Sequence, residues 1–407
     1  MKNNEPVAGV TRRAADRLRA GHLWVYRSDV VGGGAELPAG ALVTVTDARG
    51  IALGTALYSD ASEIALRLVA KEPSLSRAAY LDIVRERLDA ALRLREMLAP
   101  ESVESNAYRL VFSEADGLPG IVADRYAGLI VVQLLTQGTA QGDVRAVLVE
   151  IFAEQLWAEA ALERPDARVR ELERLEAPPS GPLFSRAGLD EASLHTVFKI
   201  NGLHFNFDAG AGQKTGAFLD QRLNYAAATS YARGRALDVC TYQGGFALHL
   251  ARVCDRVTGV DASRTALEVA DSNLELNPNL SAQVDWVEAD AFELLREWEA
   301  AGQRFDTIVL DPPAFAKSKR AAEGALRGYK ELNLRAIKML APGGTLVTCS
   351  CSHHIGMGEF VGIVREASAD AGRAVQMLET RGAAPDHPVI LTLPETSYLK
   401  CLICRVN

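Results

Sequence analysis

Two stretches of this chain place reactive side chains just past apolar runs. Val347-Thr348-Cys349-Ser350-Cys351-Ser352-His353-His354 carries two thiols, and Asp311-Pro312-Pro313-Ala314-Phe315 carries a carboxylate. A thiolate can form and break a covalent bond to carbon. A carboxylate fixed at a strand end can hold a base edge or stabilise charge developing beside it. An aromatic such as Phe315 can stack on a base taken out of its own stack, and Pro312 and Pro313 stiffen the backbone between the two. Each feature also has a plain structural explanation. A Pro-Pro pair terminates a strand, and free cysteine is a small apolar residue usually found buried. His353 and His354 serve equally as general bases or as polar caps. Within a strand Cys349 and Cys351 share a parity, so alternation cannot separate them. Cys351 lies further from the buried strand, so its thiolate costs less to desolvate.

A second set of residues suits a nucleoside-bearing cofactor. In Ala236-Leu237-Asp238-Val239-Cys240-Thr241-Tyr242-Gln243-Gly244-Gly245-Phe246 an apolar strand runs into a turn with two glycines and opens a helix. Missing Cβ atoms there let a ligand approach the backbone, and the helix start offers free amides. The next strand ends at Asp261, where an acid can accept from ribose hydroxyls. The one after ends before Asp290, placed to meet an adenine amino group. A tight turn alone would explain the glycine pair. The ordered series Asp238, Gly244-Gly245, Asp261, Asp290, Asp311 at successive strand ends points to a site. The G-x-G-x-x-G fingerprint is absent, which disfavours a dinucleotide.

These residues need a sheet to hold them. Short apolar runs at Ala236–Val239, Arg256–Val260, Val284–Val287, Thr307–Leu310 and Thr345–Thr348 alternate with helical patterns, as in a parallel sheet covered on both faces. The runs Ala374–Leu378 and Tyr398–Val406 would complete it. Upstream, residues 1–72 read as mostly β, with a short basic helix near Arg12–Ala20 and strands at Ala41–Asp47, Ile51–Tyr58 and Ile64–Val69. Residues 73–200 read as α+β, with helices at Arg77–Leu98 and Val144–Ala161 and strands at Gly120–Asp124 and Leu129–Leu135. The expected fold is therefore α/β, in three domains bounded at 1–72, 73–200 and 201–407.

Composition excludes several classes. With 48% hydrophobic and 24% charged residues the chain is ordinary globular protein, not disordered or fibrous. No apolar run is long enough to span a membrane and no signal-peptide core follows Met1, so a cytoplasmic location is expected. Cys240, Cys254, Cys401 and Cys404 read as structural, without a metal-ligand pattern. The net charge of −8 argues mildly against nucleic acid. Arg12, Arg13, Arg17, Arg19 and Arg27 nevertheless gather near the N-terminus as a candidate basic face.

The motif Asp-Val-Cys-Thr-Tyr-Gln-Gly-Gly-Phe at Asp238–Phe246 resembles the first motif of a subgroup of class I methyltransferases acting on ribosomal RNA. Gly212-Gln213-Lys214-Thr215-Gly216-Ala217-Phe218-Leu219-Asp220-Gln221-Arg222 looks like the segment that folds over the cofactor in that subgroup. Arg19–Tyr26, Asp116–Tyr126, Ala384–Pro388 and Pro394–Lys400 extend the likeness to nearly the whole chain. It resembles the bacterial large-subunit rRNA 5-methylcytosine methyltransferases that carry an N-terminal PUA domain.

The resemblance implies S-adenosylmethionine as cofactor, held by Asp238, Tyr242, Gly244, Gly245, Asp261, Asp290, Phe218 and Gln221. It implies a Rossmann-like, mostly parallel seven-stranded sheet and a small β-barrel-like RNA-binding domain. Arg12, Arg13, Arg19, Pro312, Pro313 and Phe315 would meet RNA. Asp311 and one thiol would be catalytic, and the Ser-Cys-Ser pattern favours Cys351 over Cys349. Carbon 5 of cytosine is not nucleophilic until a thiolate adds to carbon 6, which is why a cysteine is needed. The expected partners are large-subunit ribosomal RNA and a second copy in a homodimer, with no membrane. Two alternatives stand: a guanine N-methyltransferase of rRNA, which needs no thiol, and an RNA-binding assembly factor with a vestigial cofactor site.

Overall fold

The structure is a computed structural model that describes residues 6–32, 37–98, 102–164, 166–190, 193–209, 217–315 and 322–407. The N-terminal sheet has six strands in the order Trp24–Tyr26, Ile64–Ala70, Ala52–Tyr58, Leu42–Thr46, Val7–Val10, Val30–Gly32. Helix Arg12–Arg19 starts at Thr11, whose hydroxyl accepts from the Ala14 amide. It buries Ala14, Ala15 and Leu18 with Val10, Val43 and Val45.

The central sheet has five strands, in the order Phe184–Ser185, Ala160–Glu163, Leu129–Leu134, Ile121–Tyr126, Ala107–Phe112. Helices Arg77–Leu98 and Gly142–Glu154 share the core on one of its faces. The helix expected over Val144–Ala161 is corrected here. It stops at Glu154, and Ala160–Glu163 is a strand paired in parallel with Leu129–Val132. Trp157, at φ 50, takes the left-handed conformation between them. Periodicity cannot distinguish a short apolar strand buried on both faces from the end of a buried helix.

A hairpin, His195–Ile200 with Leu203–Asp208, crosses the boundary expected at residue 200. Its turn residues Asn201 and Gly202 have φ of 51 and 81. Phe198, Ile200, Phe205 and Phe207 join one core with Tyr126 and Val131 of the central sheet and with Ala236 and Phe246 beyond.

The C-terminal sheet positions the chemistry. We number its strands β1 (Arg235–Val239), β2 (Arg256–Asp261), β3 (Gln283–Glu288), β4 (Phe305–Leu310), β5 (Leu340–Ser350), β6 (Val375–Arg381) and β7 (Lys400–Val406). Their order is β3-β2-β1-β4-β5-β7-β6. The first five run parallel, and β7 lies antiparallel between β5 and β6. The order reverses between β1 and β4, and ligands of open α/β sheets bind outside the carboxyl ends of the strands at such a point. Among the described residues no helix is long and apolar enough to cross a membrane. Among the same residues no group of three or more His, Cys, Asp or Glu could hold a metal ion.

Candidate active site

A cavity of about 560 Å³ opens at the carboxyl ends of β1, β2, β3 and β4. This is within the range of small-molecule sites. Its wall brings together Phe218, Gln221, Tyr242, Asp261, Asp290, Asp311, Pro312, Pro313, Phe315 and Cys351. A narrower cavity shares Phe218, Cys240, Tyr242 and Asp311 with it and adds Gln243 and Gly245.

The turn after β1 is strained. Cys240 and Tyr242 both take positive φ, 63 and 52, without being glycine. Conformations of this kind persist where the surroundings over-determine them. The determinant is Asp238, fully buried, which accepts from Thr241 Oγ1 at 2.6 Å and Ala247 N at 2.9 Å. Burial pushes its carboxyl up to about 7, against those two hydrogen bonds. Asp238 and Gly244 line neither cavity. Both were expected to touch the cofactor; here they shape the turn beneath it. Gly244 caps helix Gly245–Leu250 at φ 85, and a Cβ there would lie 3.1 Å from Trp286. A Cβ on Gly245 would lie 2.6 Å from the Tyr225 hydroxyl. The missing side chains make room for protein as well as for a ligand.

Asp261 ends β2 with one oxygen accepting from Tyr242 N and the other from Ser263 N, each at 2.9 Å. Each carboxylate oxygen keeps capacity for another donor. Asp290 caps helix Ala291–Ala300 through bonds to Phe292 N and Glu293 N, and also faces the cavity. Val260, Ala262, Ala289, Ala291 and Phe292 supply apolar wall between these acids. Half-exposed Phe218 leans on Tyr242 with ring centroids 5.0 Å apart. Residues 212–216 of the same motif lie outside the described residues. Carboxylates at intervals along an apolar slot fit a ligand bearing a ribose, an adenine and a sulfonium cation.

At the other end of the cavity Cys351 Sγ sits 4.0 Å from the Pro312 carbonyl oxygen. Burial pushes its thiol up to about 12, reinforced by Asp311 and Asp220 and opposed by Lys400. Burial also pushes Asp311 up to about 8, helped by Asp220 and Asp238 and opposed by a Gln221 hydrogen bond. Burial and the two neighbouring acids favour its protonated form. Phe315 packs on Tyr329 and Phe292, with centroids 4.8 and 5.8 Å away.

The structure separates the two thiols. Cys349 is still within β5, fully buried and paired across the ladder with Cys401, and lines neither cavity. Cys351 lies beyond the last paired residue, Ser350. Parity holds only inside a strand, which is why it could not resolve them. Cys240, read as structural, is in the cavity wall. His353 stacks on Tyr398 at 5.5 Å and, like His354, is outside the main cavity wall. Asp220, Tyr398 and Leu399 also line the cavity and had not been singled out as site residues. Tyr398 donates to Asp220 Oδ2 at 2.5 Å, a contact between segments far apart in sequence.

The N-terminal arginines are less free than their clustering suggested. Arg13 pairs with Asp29 at 2.8 Å and Arg19 with Asp47 at 2.5 Å. Arg12 is almost fully exposed, with only a loose 3.7 Å contact to Asp16.

Comparison with known proteins agrees with this layout. A family described as S-adenosylmethionine-dependent methyltransferase matches residues 118–405, and a PUA-like domain family matches residues 9–71. A protein of Escherichia coli (strain SMS-3-5 / SECEC) named ribosomal RNA large subunit methyltransferase I is 38% identical over 390 residues, 95% of each chain. Its namesake in Shewanella amazonensis is 39% identical over 392 residues, again 95% of each. A solved SAM-dependent methyltransferase from Streptococcus mutans shares the fold, with a TM-score of 0.82 at 19% identity over 98% of this chain and 99% of its own. On its sequence, its sheet and its cavity, the chain belongs to the S-adenosylmethionine-dependent methyltransferase family, with a PUA-like domain at its N-terminus.

Proposed function

We propose that this protein methylates carbon 5 of a cytosine in large-subunit ribosomal RNA through a covalent adduct on Cys351. The observation that carries the reading is that Cys351 and Asp311 line one cavity with the ribose-binding candidate Asp261. The names of the similar proteins support large-subunit rRNA as the substrate. S-adenosylmethionine, when bound, supplies an electrophilic methyl group. Asp261 would hold its ribose and Asp290 its adenine end, with Phe218 and Tyr242 beside it. Phe315 and the rigid Pro312-Pro313 face the flipped base. The Cys351 thiolate adds to carbon 6, the pair of the carbon 5–carbon 6 double bond is displaced into the ring, and Asp311 donates a hydrogen bond to the charge that develops. Carbon 5 then bonds to the methyl group as the methyl–sulfur bond breaks and its electron pair stays on sulfur; the carbon 5 proton leaves to a base, the ring regains its double bond, and the thiolate is eliminated.

The test uses unmodified large-subunit rRNA and labelled S-adenosylmethionine, followed by digestion to nucleosides. Label in 5-methylcytidine is expected. RNA with 5-fluorocytosine at the target should trap an adduct on Cys351, and Cys351→Ala should lose turnover but keep cofactor binding. Turnover retained by both Cys351→Ala and Cys349→Ala would sink the covalent mechanism.

One observation favours a second reading. A thiol pushed up to about 12 is protonated near neutrality and is a poor nucleophile. A guanine nitrogen needs no thiol, and label in a methylguanosine would select that reading.

A further inference from the structure

Lys400 opens β7 directly opposite Ser350 in the β5 ladder, beside the turn that carries Cys351. The whole residue is buried. Its Nζ donates to the Ser352 carbonyl at 2.7 Å and to the Tyr398 carbonyl at 2.6 Å. Both acceptors are neutral. Among the described residues the lysines with carboxylate partners are Lys330 and Lys338, not Lys400. A buried ammonium is costly unless an anion compensates it. The ionisable groups whose charge reaches it favourably are Cys351 and, on helix Met357–Ala371, Glu359.

We propose that Lys400 is the counter-ion of the Cys351 thiolate, a positioning residue that makes the nucleophile available. The proposal rests on Cys351 as the nucleophile. Around Cys351 stand Asp311 and Asp220, which disfavour its anion, the Tyr329 hydroxyl, and Lys400, which favours it. His353 also lies in the field of Lys400. When the thiol ionises, the Sγ–H bond breaks, the proton passes to solvent and the electron pair stays on sulfur. The ammonium keeps its protons and its two carbonyl partners. Lys400, on the neighbouring strand, opposes burial and the two acids and keeps the thiol from being pushed higher still. Burial pulls Lys400 down to about 8, so it is charged below that pH and most exposed to loss of charge when no thiolate faces it.

The readout is Cys351 alkylation by iodoacetamide against pH, followed by peptide mass spectrometry so that the other cysteines do not contribute. Lys400→Gln keeps hydrogen-bonding capacity without the charge, and Lys400→Met removes both. Both variants should alkylate ~10-fold more slowly near pH 8, the consequence of a midpoint raised by ~1 unit. Lys400→Arg should follow the wild type. A purely structural lysine would let Lys400→Gln match the wild type, and equal midpoints in all four proteins overturn the proposal. Thiol acidity is measured whichever base is methylated. Loss of 5-methylcytidine as product therefore overturns the proposed function alone, while unshifted midpoints overturn the role of Lys400 alone.

Discussion

Asp311 sits in the cavity wall, and two other carboxylates, Asp220 and Asp238, lie close enough to act on it. Its carboxyl is held at about 8 by burial and by the neighbouring carboxylates of Asp220 and Asp238. The folded state therefore keeps a proton that the unfolded chain releases, and this contribution to stability falls as pH rises from about 4 to about 8. Asp311→Asn should flatten that fall and leave the protein more stable than wild type at pH 8, by up to ~5 kcal/mol. Denaturant melts across the pH range check this. Methyl transfer should drop by ~10²–10³-fold in the same variant, because the hydrogen bond is tuned to charge that appears only during reaction. A wild-type rate in Asp311→Asn would remove this residue from the chemistry. Asp311 and Cys351 were legible because each follows an apolar run, and a strand end is where ligands collect. Asp220, Tyr398 and Lys400 were not. Tyr398 meets Asp220 and Lys400 meets Ser350 only through pairings of distant segments, and local pattern carries no information about those.

The strand-to-turn element after β1 shows what glycine does in this site. Gly245→Ala puts a methyl group 2.6 Å from the Tyr225 hydroxyl and 2.7 Å from its ring carbon Cζ. Tyr225 is fully enclosed between Phe246 and His249, so it has little room to yield. The variant should lose ~1–3 kcal/mol of stability and bind S-adenosylmethionine more weakly as the turn shifts. Calorimetry and thermal melts check both, and unchanged values in both would show that the turn tolerates the methyl. All seven strands of the large sheet were readable to within a few residues, β5 apart, because short buried β-branched runs alternate with helices there. β5 begins at Leu340, well before the expected Thr345, since Pro342-Gly343-Gly344 hid its first half. The hairpin His195–Asp208 was missed although Asn201-Gly202 is a strong hairpin signal between alternating apolar residues. Its two strands lie on either side of a supposed domain boundary, and that division concealed the pairing.

At the scale of the whole molecule, Asp386 ties the central sheet to the catalytic one. It is fully buried, accepts from the Arg109 amide at 2.9 Å, and lies 3.2 Å from Arg222 and 3.3 Å from His387. Arg95 reaches the Asp386 carbonyl from the long helix Arg77–Leu98 while pairing with Asp116. Burial opposes the Asp386 charge, but His387, Arg222 and the Arg109 amide hold its carboxyl well below the usual range. Its contribution is present above about pH 4 and is lost as pH falls below that. Asp386→Asn should destabilise the protein by ~3–5 kcal/mol at pH 7, since it leaves the buried Arg222 guanidinium unpaired, with the difference narrowing in acid. Equal melting of variant and wild type would show that the junction does not depend on this charge. On the N-terminal face proposed for RNA, Arg13 and Arg19 already answer Asp29 and Asp47. Replacing Arg12, Arg13 and Arg19 together by Ala should lower the salt slope of rRNA binding by about 1–2, less than three full phosphate contacts. An unchanged slope would place RNA recognition elsewhere. Finally, β7 follows β5 and β6 in the chain, yet it lies between them, and among the described residues β6 pairs with no other strand. Without Lys400–Val406 the sheet would have two bared edges in place of one interior ladder, and the edge of β5 beside Cys351 would be one of them.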